Sequence, residues 1–240
     1  MTSTSNGNRL ELPVIDWPIT LTGEILFFNL LSRILLSLPE KDWLKPLVVE
    51  EIFDELPFAA DRVETQRGRE LLSAWTAQLS GELDDQSLLD LKVDFTRLFS
   101  GSRTIPVAPW ESVYFSEDRL VFQERTLEVR QWYRRFGLEP VKLHKEPDDH
   151  IGIELSFVAH LAARALAAHE AGDEVGFNEL VTAQKEFLAE HLILWGPLWA
   201  SLVTENAKSD FYSGVAYLVL GALIELAELF TLQIPDYKFS

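Results

Sequence analysis

The chain contains no cysteine among its 240 residues. Disulfides, zinc–thiolate sites, iron–sulfur clusters and cysteine nucleophiles are therefore excluded. Basic residues are also scarce: 21 lysines and arginines stand against 38 aspartates and glutamates, for a formal net charge of −17. Such a charge repels phosphate groups, so it argues against nucleic acid and anionic membranes as partners. It favours a basic partner, although acidity also serves solubility alone.

Local motifs of catalysis are missing as well. The sequence has no G-x-G-x-x-G, G-x-x-x-x-G-K-[ST], H-E-x-x-H or G-x-S-x-G pattern. No histidine follows a glutamate by three residues, so the Glu-x-x-His pairs of di-iron bundles are absent too. These absences do not exclude an enzyme, but they favour a protein that is not one, and we predict no catalytic residues, no cofactor and no bound metal.

A targeting or membrane-spanning segment is not expected. Residues 1–8 are polar and do not resemble a signal peptide. The most apolar stretch, residues 25–38, is too short to cross a bilayer and contains Arg33. The sequence accordingly predicts a soluble, cytoplasmic protein without stable membrane insertion.

Apolar residues recur at spacings of three and four along most of the chain, whereas period-two alternation between turn pairs is not found. This pattern predicts an all-α protein, a single globular multi-helix bundle of roughly nine or ten helices. Residues 1–19, with Pro13 and Pro18, are expected to form a flexible N-terminal arm. Residues 20–240 form the all-helical domain, and Thr22 is expected to cap its first helix.

The densest polar cluster is E-P-D-D-H at residues 146–150, directly before an apolar-periodic segment. Pro147 suits the first position of a helix, and Asp148 and Asp149 would then lie in its first turn. His150 and Glu154, four residues apart, would share one face of that helix. The cluster therefore predicts a helix start whose side chains lie at the surface.

Two interpretations of this cluster remain open from the residues alone. In one, Asp149, His150 and Glu154 bind a divalent ion together with His144 or Glu146. In the other, the cluster is simply an acidic helix start with a hydrogen-bonded histidine.

A second notable stretch surrounds a proline-rich loop before Trp110. Its apolar residues either seal the core beneath a long loop or form a groove for an apolar helix or an extended peptide. These residues are Leu98, Phe99, Ile105, Val107, Pro109, Trp110, Val113 and Tyr114.

Three pieces of the sequence together resemble the TorD/DmsD-type redox-enzyme maturation chaperones. They are F-T-R-L-F at 95–99 followed by Gly101, P-W-E-S-V-Y at 109–114, and E-P-D-D-H at 146–150. The likeness extends over about residues 90–230 and includes the segments 127–132 and 191–195. The chain departs from the family pattern at Phe95, where Tyr or Trp is frequent, and at Ser102, where Pro often follows Gly.

The resemblance implies an all-helical cytoplasmic chaperone that binds the twin-arginine signal peptide of a molybdopterin oxidoreductase catalytic subunit. Such a chaperone assists maturation and cofactor loading before export. It would be a monomer or a domain-swapped dimer, for which residues 137–147 are a plausible hinge. Nine residues carry over as signal-peptide contacts: Leu98, Phe99, Pro109, Trp110, Tyr114, Glu146, Pro147, Asp149 and His150.

Apolar burial and ion pairs would contribute differently to binding at such a site. Burying four leucine-sized side chains contributes roughly 6–12 kcal/mol, whereas an exposed ion pair adds only about 0–1 kcal/mol. An apolar groove would therefore supply affinity and its acids selectivity. Two alternatives are kept: a nucleotide- or metal-binding enzyme that uses Asp149 and His150, and an assembly factor that grips a mature part of its client.

Overall fold

The structure, a computed structural model, describes residues 15–79, 81–100, 105–116, 124–138 and 147–237. These residues form α-helices joined by turns, and within them no strand occurs, only an isolated β-bridge between Trp110 and His150. The predicted all-α bundle is confirmed. In chain order the helices are α1 (Trp17–Leu36), α2 (Lys41–Val49), α3 (Val63–Gln78), α4 (Asp85–Phe99), α5 (Ser112–Phe115), α6 (Glu124–Arg135), α7 (Ile151–Glu170), α8 (Glu174–Phe187), α9 (Ile193–Asn206) and α10 (Asp210–Leu229).

The first helix begins earlier than its sequence predicts. Asp16 caps it by accepting a hydrogen bond from Ile19 N at 3.3 Å. Pro18 lies in the first turn, where a missing N–H costs nothing, so the expectation that it blocks regular structure is wrong. Thr22 is not the cap; its hydroxyl donates to Pro18 O within the helix. Residues 1–14 of the predicted arm lie outside the described part of the chain.

Helix α7 packs against both α1 and α8. The approach of α1 is close because Gly152 has no side chain: a Cβ there would lie 2.7 Å from Leu36 Cγ. Glu24 of α1 is fully buried, and Gln184 of α8 donates a hydrogen bond to its Oε2 at 2.5 Å. A polar pair therefore links these two helices inside the core.

A second group of helices completes the core. Helices α3 and α9 both pack against α10, and α10 meets α3 where Gly68 faces Gly214. A π-helical segment, Leu188–Leu192, continues α8 into α9. Large aromatic side chains fill the space between these helices and are fully buried, among them Trp195, Trp199, Tyr212 and Phe211.

Within the described ranges, four helical segments are long and apolar enough to cross a membrane, judged by length and composition alone. They are Trp17–Leu36, Ile151–Glu170, Glu174–Asn206 and Asp210–Leu229. The expectation that the apolar stretch at 25–38 is too short is wrong, because its helix starts at Trp17 and has 20 residues. In this fold half or more of each segment is buried inside the bundle.

Candidate functional site

The two stretches that carried the family resemblance lie side by side. Glu111 N donates to Asp149 O at 2.9 Å, and Ile151 N donates to Pro109 O at 2.8 Å. These bonds form the antiparallel bridge between Trp110 and His150, whose rings meet edge to face with centroids 6.3 Å apart. We call residues 109–112 and 147–151, joined in this way, the clasp.

Asp149 is the polar centre of the clasp. Its side chain is buried; Oδ2 accepts from Ser112 N at 2.7 Å and Oδ1 from Thr126 Oγ1 at 2.9 Å. The carboxylate thereby caps α5 and ties it to α6. Its predicted surface position is wrong, because both oxygens are used inside the protein.

His150 is the N-cap of α7. Its Nδ1 accepts a hydrogen bond from Gly152 N at 3.0 Å. Burial lowers the pKa of His150 to about 4, so the ring is neutral at pH 7. Because α7 begins at Ile151, Pro147 and Asp148 precede the helix instead of occupying its first turn. Both side chains are buried, so the prediction that this part of the E-P-D-D-H cluster lies at the surface is also wrong.

Two arginines of α6 neutralise the other carboxylates of the clasp. Arg130 pairs with Asp148, which is only 2% exposed. Arg125 pairs with Glu111, whose second oxygen lies 2.9 Å from His191 Nδ1. The acids that we expected beside the apolar groove are therefore paired inside the protein, and none of these carboxylates is free to bind a ligand directly.

Glu154 lies behind the clasp on α7, fully buried. Trp195 Nε1 donates to its Oε2 at 3.2 Å. Burial, with the nearby negative charges of Glu111 and Asp149, raises the pKa of Glu154 well above its usual range. This shift favours the uncharged form of the carboxyl group, which would reduce repulsion among three neighbouring acids.

The remaining predicted contacts divide by exposure. Leu98, Phe99 and Pro109 are buried, and Phe99 stacks on Trp199 with centroids 5.9 Å apart. This placement supports the interpretation that the loop seals the core. Trp110 is only partly buried, and its Nε1 has no hydrogen-bond partner among the described residues.

Tyr114 is also partly buried, and its hydroxyl donates to Ala108 O at 2.8 Å. Glu146 and His144, both named from the sequence, lie outside the described residues. No group of three or more His, Asp and Glu side chains in the described ranges is arranged to hold a metal ion. The alternative of an enzyme that uses Asp149 and His150 finds no support in their geometry.

Beside the clasp the surface carries two concavities that meet at Arg125 and Glu128. Their volumes are about 580 Å³ and about 430 Å³. The larger is lined further by Gln131, Trp132, Arg135, Glu190 and His191, and the smaller by Ser112, Phe115, Ser116 and Glu124. Sequence reasoning assigned these residues no role, although segments 127–132 and 191–195 belong to the resemblance.

The fold is an all-helical bundle in which the polar residues of the clasp have a structural role. An open surface lies beside the clasp. The model of a protein family described as "Nitrate reductase delta subunit" matches residues 64–201. Because this match covers more than half of the chain, the protein belongs to that family, which includes the TorD/DmsD-type maturation chaperones.

Two relatives found by sequence agree with this assignment. The chaperone protein TorD of Aliivibrio salmonicida is 25% identical over 189 residues, which are 74% of this chain and 86% of that protein. The Tat proofreading chaperone DmsD of Salmonella typhi is 31% identical over 122 residues, 51% of this chain and 53% of that protein. A crystal structure of a protein assigned to redox enzyme maturation from Archaeoglobus fulgidus has 21% identity and a TM-score of 0.45, covering 89% of this chain and 97% of that one.

Proposed function

We propose that this maturation chaperone works in the cytoplasm and binds the twin-arginine signal peptide of a molybdopterin oxidoreductase catalytic subunit. It would hold this client during folding and cofactor loading, before export. Family membership supports the proposal, as does the similarity to the Salmonella typhi relative, a Tat proofreading chaperone. The main structural support for the proposal is the clasp, which brings P-W-E and D-D-H together beside an open surface.

That surface offers both kinds of group that the leader requires. A twin-arginine leader has two guanidinium groups followed by an apolar stretch. Phe115 and Leu127 are exposed by 49% and 52%, so they still have apolar area to bury. Glu124 and Glu128 lie on the same helix as Leu127 and add negative charge. Apolar burial would supply most of the affinity, and the acids would supply on-rate and selectivity.

The predicted site residues take different parts in this proposal. Trp110 and Tyr114 are partly exposed and would touch the peptide. Pro147, Asp149 and His150 would act by positioning Trp110. Leu98, Phe99 and Pro109 would support this surface from beneath, and Glu146 stays a predicted contact.

Titration calorimetry with a synthetic twin-arginine leader tests the proposal. Trp110→Ala should weaken binding by at least about tenfold, the loss typical of a partly buried aromatic anchor. Trp43→Ala is the matched control, because Trp43 is also half-buried but lies on α2 and lines neither of the two concavities. Equal binding of a leader with both arginines changed to alanine and its apolar stretch changed to serine would overturn the proposal.

A further inference from the structure

Arg125 sits in a complete receptor for a guanidinium group. Its Nε donates to Glu111 Oε1 at 3.0 Å, and its Nη1 donates to Glu128 Oε2 at 2.9 Å. Its Nη2 contacts both Glu111 Oε1 and the carbonyl of Glu190. The ring of Phe115 covers one face, with its centroid 4.7 Å from the guanidinium carbon. We call these four groups the guanidinium cage.

The cage is open to solvent. The Arg125 side chain is 23% exposed and that of Glu128 is 41% exposed. Both residues line each of the two concavities beside the clasp, so they form the wall between them. Withdrawal of the Arg125 side chain would join the concavities and expose the cage to a ligand from either side.

We infer that Arg125 is a built-in occupant of this cage, and that an arginine of the leader takes its place when the leader binds. The inference rests on the proposed function and names the part of the surface that reads the arginines. It also explains how a site can select guanidinium groups although its carboxylates are already paired in the free protein.

Glu111 makes the process an exchange of one cation for another. Its side chain is fully buried, and its second oxygen is taken by His191. A buried carboxylate without a cation is strongly unfavourable, so Arg125 can leave only when another cation enters. The fork of a guanidinium matches the two carboxylates and the carbonyl, whereas the single ammonium of lysine does not. The cage therefore selects arginine.

The place of Arg125 in its helix makes it replaceable. It is the second residue of α6, where the helix dipole disfavours a positive charge. Arg130, further along α6, lies beyond that first turn and pairs with Asp148, which is almost fully buried. An arginine from a separate peptide would make the same contacts as Arg125 without a backbone fixed in the first turn.

Binding of a twin-arginine leader to Arg125→Ala tests the inference. A competing internal group raises the apparent Kd by the reciprocal of the fraction of protein whose site is free, so its removal should tighten binding about tenfold. Arg134→Ala is the matched control, because Arg134 is exposed on the same helix and its loss changes net charge equally. We expect less than about twofold change for the control, and no gain for a twin-lysine leader.

A second measurement shows whether the variant keeps an intact cage. Arg125→Ala should lose thermal stability and regain it with millimolar methylguanidinium but not with methylammonium, while the parent protein responds to neither. Arg125→Lys, which keeps a cation beside Glu111, serves if the alanine variant does not fold. It too should bind the twin-arginine leader more tightly than the parent protein.

The outcomes are distinguishable. Arginine-dependent binding to the parent protein, with no tightening in either Arg125 variant, overturns the inference and leaves the proposed function standing. Equal tightening by Arg134→Ala also overturns it, because net charge would then explain the effect. Leader binding to neither the parent nor the variants overturns both.

Discussion

The side chain of Asp149 lies 2.7 Å from the backbone nitrogen of Ser112, a residue 37 positions earlier in the chain. Its other oxygen accepts the hydroxyl of Thr126 at 2.9 Å. One buried carboxylate thus joins the clasp, α5 and α6, and its loss would affect all three together. The acid that the sequence suggested as a ligand is therefore a structural group whose effect on binding is indirect.

Asp149→Ala should lower the free energy of unfolding by about 2–4 kcal/mol, because it leaves a buried N–H and a buried hydroxyl without their acceptor. Asp149→Asn keeps one acceptor oxygen and should cost less. Urea denaturation measures both, with the exposed Asp61→Ala as the control. A loss in Asp149→Ala no larger than that of the control would contradict the structural role.

His150 should make the protein less stable in acid. Its folded pKa of about 4 lies below the usual 6.5, so the unfolded chain takes up a proton first as pH falls. The stability present above pH 6.5 is therefore lost between pH 6.5 and 4, by about 2–4 kcal/mol. His150→Asn keeps a cap acceptor and does not titrate. The difference in urea stability between the two proteins, measured across this range, should fall with pH; a constant difference would refute the assignment.

Glu24 should act in the opposite direction. Burial raises the pKa of Glu24 to about 7, above its usual 4.5, so the folded state holds its proton longer than the unfolded state. Its contribution is full below pH 4.5 and is lost as pH rises from 4.5 to 7, again by about 2–4 kcal/mol. Comparison with Glu24→Gln by denaturation between pH 4 and 8 isolates this contribution.

The structure gives a reason for this proton. Oε1 of Glu24 and Oε1 of Gln184 are both buried without a partner in the described part of the fold. An uncharged carboxyl group removes the cost of a buried charge between α1 and α8. If stability relative to Glu24→Gln does not depend on pH, Glu24 is ionised in the folded protein and this explanation fails.

Gly214→Ala should destabilise the crossing of α3 and α10. A Cβ at this position would lie 2.7 Å from Leu72 Cγ and 3.0 Å from the carbonyl oxygen of Gly68, so the helices would have to separate. Overpacking of this kind costs about 1–3 kcal/mol. Ser213→Ala, at the preceding and half-buried position, is the control for thermal unfolding. Equal melting temperatures would show that the crossing can widen freely.

The helical class was predictable because spacings of three and four persist through nearly every segment. The start of α1 differs from the prediction because a proline in the first turn of a helix removes no hydrogen bond, so Pro18 does not delay the helix. Similarly, E-P-D-D-H predicts a helix start at Pro147, whereas the helix starts at Ile151.

The character of the site was harder to predict because charge alone does not determine burial. Asp148 and Asp149 looked like surface groups until Arg130, Ser112 and Thr126 were brought to them by the fold. The guanidinium cage likewise joins Arg125 to the carbonyl of Glu190 across 65 residues. No local spacing signals such a contact, since it depends on how α6 packs beside the π-helical segment.

Because α1 packs against α7, it cannot complete its packing until α7 has been synthesised. Helix α1 ends at Leu36 and α7 begins at Ile151, so more than a hundred residues separate the two partners. At a synthesis rate of about 5–20 residues per second, α1 leaves the ribosome on the order of ten seconds before α7 exists. Throughout that interval the apolar side chains of α1 lack the helix against which α1 packs most extensively in the fold. During this interval the nascent chain carries exposed apolar surface, which makes it prone to aggregation.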